Sequence, residues 1–315
     1  MILIISFPEN EHVEEVRRHL TAPHTVIDLA SFPTRLRLSA RSGNGDSGIE
    51  LEHAGERIDL DDVGAVWCRR IRPFELDEEL THPTSQMFAW SESNEALLGV
   101  WYTMPCFWMN PPLGDEVAQR KIHQLRTAEA VGLTVPETLV TNDPDRARGF
   151  VELHGPSQVI RKAFRNIEEA PRETALVTQE GLAQIDGVRF APVIFQRFIP
   201  GVEDLRVTVV DGDVFAARIR SHSDHQVDYR AGLATASVDA CSLPDEVSTK
   251  LLELMARLGV SFGAIDMRLT PEGEYVFFEI NPAGEYLFVS RRTGQPVPEA
   301  IAGALQRHDA ERAAV

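Results

Sequence analysis

Near the C-terminus, two carboxylates and an amide have types and a spacing that could hold a divalent cation. Glu279 and Asn281 lie two positions apart in the apolar stretch "FFEINPAG". If residues 271–274 ("PEGE") form a hairpin turn, Asp266 pairs directly with Glu279, and opposed like charges are destabilising unless something compensates. Side chains on a strand repeat every two residues, so Asn281 projects from the same face, about 7 Å further along. Mg²⁺ takes such oxygens together with water and substrate phosphates, so the spacing predicts a magnesium site.

The alternative for this acidic group is a solvated patch, or carboxylates that are paired with arginine. We favour the metal because the flanking apolar segments "YVFF" and "SFGAI" would bury much of such a patch. Magnesium bound in this way implies a nucleotide partner, so the chain needs groups that bind phosphates.

The cations that could bind phosphates are few. The chain has neither a GxxxxGK[ST] nor a GxGxxG motif, which argues against P-loop and Rossmann sites. Lysine occurs only at Lys121, Lys162 and Lys250, and arginine supplies the rest of the 31 basic residues. Lys162 follows the apolar run "QVI", and Lys121 lies in a predicted helix some 40 residues earlier. Either lysine could instead be an ordinary surface residue whose stem packs on apolar neighbours.

Composition limits the class of protein. The 315 residues are 43% hydrophobic, which is enough for two or three domains of ordinary size. A net charge of −17 disfavours binding to nucleic acid or to anionic membranes. The cysteines Cys68, Cys106 and Cys241 form no CxxC pair, which argues against a disulfide framework and a zinc site. We expect no membrane span and a cytoplasmic location.

The chain reads as strands and helices in alternation. "MILIISF" is a predicted first strand and "EHVEEVRRHL" the helix that follows it. Residues 115–132 read as one amphipathic helix that ends at Gly132. "EDLRVTVVDGDVFAARIRS" predicts a hairpin whose turn contains Asp-Gly at 211 and 212. A second hairpin covers residues 261–282, and a helix ends the chain.

The order of these features resembles the ATP-grasp superfamily of carboxylate-amine ligases. The resemblance is carried by Lys121, then "GLTVPETLVTND", "VIRK", "FQRFIPGVEDLRVTVV", "GAIDM" and "FFEINPAG" in sequence. "VWCRRIRPFEL", "VFAARIRSHSDHQVDYR" and "NPAGEYLF" are similar to the graspetide synthetases, the branch that makes microviridin-type cross-linked peptides. The resemblance covers residues 1 to about 305. It implies an α/β (α+β) ATP-grasp fold.

The resemblance also implies three parts and a set of functional residues. An N-terminal α/β domain is expected at 1–112, a central subdomain at 113–195, and a C-terminal antiparallel subdomain at 196–315. The residues expected to bind ATP are Lys121 and Lys162 at the phosphates, Gln196, Arg197, Phe198 and Ile199 at the adenine, and Glu203 and Asp204 at the ribose. The expected magnesium ligands are Asp266, Glu279 and Asn281. Arg206 and Arg230 are expected at the phosphates and the reacting carboxyl group.

The implied function is an ATP- and Mg²⁺-dependent peptide macrocyclase. It would activate Asp or Glu side chains of a ribosomal precursor peptide as acyl phosphates and join them to Ser or Thr hydroxyls or a Lys amine. The loop "RNIEEAPRETA" is expected to close over the phosphates. The expected partners are the leader and core of the precursor and a second copy of the chain, with neither nucleic acid nor membrane. The alternatives are a ligase for free amino acids or small metabolites, and a non-catalytic nucleotide-binding scaffold.

Some residues depart from the pattern or keep more than one interpretation. Where relatives commonly read "NPNGQW", this chain reads "NPAGEY", so Glu285 replaces an amide near the acceptor side. Cys68 occupies a place that tyrosine often holds. The cluster Arg69, Arg70 and Arg72 is either a solvated group of charges or a contact for an acidic peptide or the nucleotide. We expect no metal at His222 and His225, because "HSDH" falls in a predicted loop.

Overall fold

The computed structural model describes residues 1–43, 47–164, 174–221, 227 and 229–313. Its strands in chain order are β1 (Ile2–Ile5), β2 (His24–Ile27), β3 (Leu36–Arg41), β4 (Gly48–His53), β5 (Glu56–Asp59), β6 (Ala65–Cys68), β7 (Phe107–Met109), β8 (Thr138–Thr141), β9 (Val159–Lys162), β10 (Ala175–Leu176), β11 (Val193–Arg197), β12 (Glu203–Val210), β13 (Asp213–Arg220), β14 (Ser237–Cys241), β15 (Phe262–Leu269) and β16 (Tyr275–Asn281). Its α-helices are α1 (Glu11–Arg17), α2 (Pro83–Thr103), α3 (Pro112–Ala118), α4 (Lys121–Ala130), α5 (Pro144–His154), α6 (Gln179–Ala183), α7 (Asp245–Leu258), α8 (Leu287–Thr293) and α9 (Val297–Ala313).

The N-terminal part contains a parallel sheet in the order β2-β1-β6-β7. Strand β1 is the predicted first strand, and its four side chains are fully buried, as is usual for a strand covered on both faces. Helix α1 begins after Asn10, whose side chain accepts a hydrogen bond from the backbone N–H of His12. Strands β3, β4 and β5 form a separate antiparallel sheet.

Two antiparallel sheets complete the fold. The central sheet has the order β10-β9-β11-β8, and the C-terminal sheet has the order β14-β13-β12-β15-β16. The predicted hairpin β12–β13 is confirmed, and its turn residues Asp211 and Gly212 have the positive φ angles, 47° and 95°, that this type of turn needs. One face of the C-terminal sheet packs on α4 and α7 through an apolar core that includes Val207, Leu254 and Phe277.

The prediction of one helix over residues 115–132 is wrong. Helix α3 ends at Ala118, and α4 begins at Lys121, because Arg120 between them takes an extended conformation with ψ of 99°. The interruption lets the buried amide of Gln124 donate to the carbonyl oxygens of Ala118 and Ile280. Lys121 is therefore the first residue of a helix rather than a residue in the middle of one.

The packing of the elements crosses the domain boundaries expected from the sequence. Helix α4, in the expected central part, packs on α7 and β16 of the C-terminal part. Helix α9 at the end of the chain packs on α1 and β6 of the N-terminal part. The expected boundary between 195 and 196 lies within β11, which pairs with β8 and β9 of the central sheet. Within the described residues, no helix has both the length and the apolar character needed to cross a membrane.

Candidate active site

The central and C-terminal sheets face each other across a cleft. Residues of β9 and β11 line one side, and residues of β12, β15 and β16 line the other. The residues predicted for the site that line this cleft are Lys162, Gln196, Arg197, Phe198, Ile199, Asp204, Arg230, Asp266 and Glu279. The structure thus brings together residues that are up to 117 positions apart in the sequence.

The predicted pairing of the two carboxylates is confirmed. Asp266 of β15 lies directly opposite Glu279 of β16. The register near the turn differs from the prediction. Leu269 pairs with Tyr275 and Met267 with Phe277, one position away from the register that a turn at 271–274 gives. A bulge in β16 then shifts the pairing by one residue. The skipped residue is Phe278, which lines the cleft together with its neighbour Glu279.

Three cations neutralise the carboxylate pair. Nη1 of Arg206 lies 2.9 Å from Oδ1 of Asp266. Nη2 of Arg230 lies 2.7 Å from Oδ2 of Asp266 and 3.3 Å from Oε1 of Glu279. The Lys121 ammonium contacts the other oxygen of Glu279, because the break before α4 places this lysine at the start of the helix. These ion pairs are what the alternative of arginine-paired carboxylates requires. The same carboxylate oxygens are also of the type that Mg²⁺ prefers.

The charges in the cleft shift the pKa values of several groups. Burial of Glu279 alone would raise its pKa, but Lys121 and Lys162 outweigh that effect and hold the pKa well below its ordinary value. Burial lowers the pKa of Lys162, and the negative charge of Glu279 opposes this change. Burial would also lower the pKa of Arg206, but Asp266 reverses the direction and raises it. Glu279 is therefore a carboxylate at neutral pH.

Three residues that sequence reasoning did not assign also shape the cleft. The hydroxyl of Tyr229 donates to Oδ1 of Asp266 at 3.1 Å, and burial raises the pKa of this tyrosine. Arg268, also buried, donates from Nε to Asp204 and from Nη1 to the carbonyl oxygen of Ile199, both at 2.8 Å. The ring of Phe278 lies 5.8 Å from the Lys162 Nζ. The two-residue period of β15 could have indicated Arg268, since it shares a face with Asp266.

The residues expected to bind adenine and ribose are partly engaged in other contacts. The amide of Gln196 donates to Thr138 at 2.9 Å, and its buried Oε1 lacks a hydrogen-bond partner among the described residues. The N–H of Phe198 donates to the carbonyl of Gln158 at 2.8 Å. Glu203 pairs with Arg220 at the far side of β12, because consecutive residues of a strand point to opposite faces. Of the two predicted ribose contacts, only Asp204 lines the cleft.

Asn281 is exposed, and its Oδ1 accepts from the N–H of Ala283 at 3.0 Å. It does not line the cleft, so its role as a magnesium ligand stays a prediction. Residues 165–173 of the loop "RNIEEAPRETA" (165–175) and the pair His222 and His225 lie outside the described residues.

A second group of charges surrounds Glu285 at the border between the N-terminal and C-terminal parts. Its carboxylate contacts the ring of His12 and the guanidinium groups of Arg69 and Arg70, with Nη2 of Arg69 at 3.2 Å. The hydrogen bond with His12, helped by the charges of both arginines, lowers the pKa of Glu285 to about 2. Arg69 is only 1% exposed, so the interpretation as a solvated charge is wrong for this residue.

The chain is similar to proteins of known fold and activity. The family model of the MvdD pre-ATP grasp domain matches residues 1–115. The macrocyclase MdnB from Microcystis aeruginosa MRC is 33% identical, and the match covers 96% of this chain and 98% of MdnB with a TM-score of 0.81. MdnC from the same organism, solved with its precursor peptide MdnA, is 30% identical over 97% of this chain and 99% of its own, with a TM-score of 0.86. The chain belongs to the ATP-grasp macrocyclases.

Two further matches extend the comparison. An ATP-grasp ligase from Chryseobacterium gregarium, solved with ADP and with a leader and core peptide, is 27% identical. That match covers 97% of this chain and 96% of the other, with a TM-score of 0.89. A glutathione synthetase from Nostoc sp. is 24% identical over 170 residues, so the chain spans about half the length of that curated relative.

Proposed function

We propose that the protein uses ATP to join side chains of a ribosomally made precursor peptide. A carboxylate oxygen of a peptide Asp or Glu attacks the γ-phosphorus of ATP, the bond to ADP breaks, and an acyl phosphate forms. A peptide hydroxyl or lysine amine then attacks the acyl carbon, loses its proton and expels phosphate. The product is an ester or an amide. The observation that carries this proposal is the cleft lined by Asp266 and Glu279, whose carboxylates contact Lys121, Arg206 and Arg230, in a chain of the macrocyclase family.

The cations of the cleft have distinct tasks in this proposal. Lys162 lies in the cleft beside Phe278, and no described carboxylate forms an ion pair with it, so it is suited to contact a phosphate. Lys121 and Arg230 contact Glu279, and we infer that they exchange this partner for phosphate oxygens when the nucleotide binds. Arg206 and Arg230 would stabilise negative charge that develops on the acyl oxygen and the leaving phosphate.

The residues of the site fit a magnesium ion. Asp266 and Glu279 would hold Mg²⁺ with Asn281 as the third predicted ligand, and the ion would neutralise charge on the ATP phosphates. Among the described residues, no group of three His, Cys, Asp or Glu side chains forms a metal cluster. A pair of carboxylates is nevertheless enough for Mg²⁺, which usually keeps several waters and takes further oxygens from phosphates.

The experiment that tests the proposal compares two classes of substrate. The enzyme is incubated with ATP, Mg²⁺ and a candidate precursor peptide, sought among the short reading frames next to its gene, and in parallel with a mixture of free amino acids. We expect ADP release only with the peptide, and an intact peptide mass lower by one water for each link. ADP release with the amino acids and an unchanged peptide mass would favour a ligase for small substrates, the alternative that the glutathione synthetase match supports.

We also propose that two copies of the chain associate. The first half of α2 exposes the large apolar side chains of Met87, Phe88 and Trp90, which are 67%, 65% and 49% accessible. Exposed apolar groups of this size commonly mark an interaction surface. Sedimentation at micromolar concentration is expected to give a dimer that the double variant Met87→Glu, Phe88→Glu dissociates. A monomeric wild type would contradict this part of the proposal.

A further inference from the structure

The guanidinium of Arg206 is oriented by two groups, and only one of them is in the cleft. Its Nη1 donates to Asp266 at 2.9 Å. Its Nη2 and Nε both donate to the backbone carbonyl oxygen of Glu285, at 2.8 Å and 3.3 Å. Because Arg206 is 4% exposed, water cannot easily replace these acceptors. The orientation of the Arg206 guanidinium therefore depends on the position of the Glu285 carbonyl.

That carbonyl belongs to a segment without regular structure, residues 282–286, which connects β16 to α8. The N-terminal part of the chain anchors this segment. Asn110 donates to the carbonyl of Pro282 at 3.1 Å, and Arg69 donates to the carbonyl of Ala283. Next to Glu285, Tyr286 is fully buried, and its hydroxyl donates to the carbonyl of His12 at 3.1 Å.

Glu285 carries the carbonyl that Arg206 contacts, and its side chain also anchors the segment. Its two carboxylate oxygens bind three groups from the N-terminal part, namely His12, Arg69 and Arg70. The preceding Gly284 packs closely on its surroundings, because a Cβ there would lie 2.3 Å from the Cβ of Ala264 and 3.0 Å from Nη2 of Arg206. The segment is therefore held between the N-terminal part and the guanidinium it orients.

We propose that Glu285 is a positioning residue of the reaction: by fixing its own backbone to the N-terminal part, it holds Arg206 in the orientation that contacts Asp266. The proposal rests on the role proposed above for Arg206. A misplacement of about 1 Å at a reacting group can cost about 100-fold in rate, so loosening this segment lowers the rate without removing any group from the cleft.

The structural alternative is that Glu285 merely ties two parts of the protein together. The chain contains a matched control for this alternative. Glu11 of α1 pairs with Arg291 of α8 at 2.9 Å, which also links the N-terminal and C-terminal parts, but neither residue contacts Arg206 or lines the cleft. Glu11→Ala removes a link of the same chemical type without touching the segment at 282–286.

The test measures kcat and the KM for ATP with the peptide that loses water in the assay above. The variants are Glu285→Ala, Glu285→Gln and Glu11→Ala, and ADP affinity reports on folding. We expect Glu285→Ala to lower kcat about 10- to 100-fold with KM for ATP and ADP affinity within about twofold of wild type. Glu285→Gln, whose amide oxygen still accepts from the arginines, is expected to restore most of the lost kcat.

Other results would overturn the inference. An unchanged kcat in Glu285→Ala would do so, and so would equal losses in Glu285→Ala and Glu11→Ala. The variant Arg206→Met separates this failure from failure of the proposed function. If Arg206→Met retains full kcat, the role proposed for Arg206 is wrong. If Arg206→Met loses activity while Glu285→Ala does not, only the positioning role is wrong.

Discussion

Two carboxylate clusters in this protein use the same types of side chain for different purposes. In the cleft, Asp266 and Glu279 share Lys121, Arg206 and Arg230. At the border of the N-terminal part, one carboxylate, Glu285, is held by His12 and two arginines. The cleft cluster places two like charges side by side on neighbouring strands, which is costly unless a ligand or a cation is present. The border cluster contains one carboxylate, so no two carboxylates oppose each other there.

The difference indicates which ion pairs are exchangeable. Arg230 is 53% exposed on its side chain and faces the cleft, so it can move to a phosphate when one arrives. Arg69 is buried and contacts both a carboxylate and a backbone carbonyl, so it is fixed. Arg206 connects the two clusters, since it binds Asp266 on one side and the carbonyl of Glu285 on the other.

Removing the connecting residue is expected to have the largest effect. Arg206→Met leaves the buried Asp266 with fewer partners, so we expect the free energy of unfolding to fall by about 3 kcal/mol and kcat to fall by about 100-fold or more. Urea unfolding and the peptide assay measure the two effects. The control is Arg291→Met, which breaks an exposed pair and is expected to change the unfolding free energy by less than about 1 kcal/mol. A loss as small as that of the control would contradict a connecting role.

Adding a methyl group to the segment at residues 282–286 is expected to disturb both clusters. In Gly284→Ala, the Cβ would collide with Ala264 and crowd Arg206, so we expect a destabilisation of about 1–3 kcal/mol. The control is Gly149→Ala in α5, where a Cβ meets nothing within 4 Å, and a helical alanine there is expected to stabilise by about 0.5–1 kcal/mol. Equal thermal stability of the two variants would show that the segment can relax.

Removing the hydroxyl of Tyr229 is expected to have a smaller effect on the cleft. Tyr229→Phe deletes the hydrogen bond to Oδ1 of Asp266, while Arg206 and Arg230 still bind this carboxylate. We expect a destabilisation of about 1 kcal/mol and a modest decrease in kcat. Denaturant unfolding at neutral pH checks the stability. A change as large as that of Arg206→Met would mean that the hydroxyl, rather than the arginine, holds Asp266.

The border cluster is expected to give the smallest effect, through its dependence on pH. The folded-state pKa of Glu285 is about 2, below the ordinary value of 4.5. The stability it contributes is therefore fully present above about pH 4.5 and is lost as the pH falls toward 2. We expect the difference in unfolding free energy between wild type and Glu285→Gln to shrink between pH 6 and pH 3. A constant difference over this range would contradict the ion pairing of Glu285.

The sequence was a good guide where the arrangement follows from local periodicity. The two-residue period of strands and a single hairpin predicted that Asp266 and Glu279 face each other, and the Asp-Gly turn of β12–β13 is a local signal. The bulge at Phe278 had no such signal, because it depends on how β16 packs on its neighbours. The cluster around Glu285 joins residues more than 200 positions apart, so it arises only when the N-terminal part docks on the C-terminal part.

The measurement that tests the central claim most directly is the intact mass of the precursor peptide after incubation with ATP, Mg²⁺ and each of three enzymes. Wild type and the control Glu246→Gln, which changes an exposed pair with Lys250, are expected to remove one water for each link formed. Glu279→Gln is expected to leave the peptide mass unchanged while it still binds ADP. Formation of the same linked product by Glu279→Gln would contradict the claim that this carboxylate serves the chemistry of the cleft.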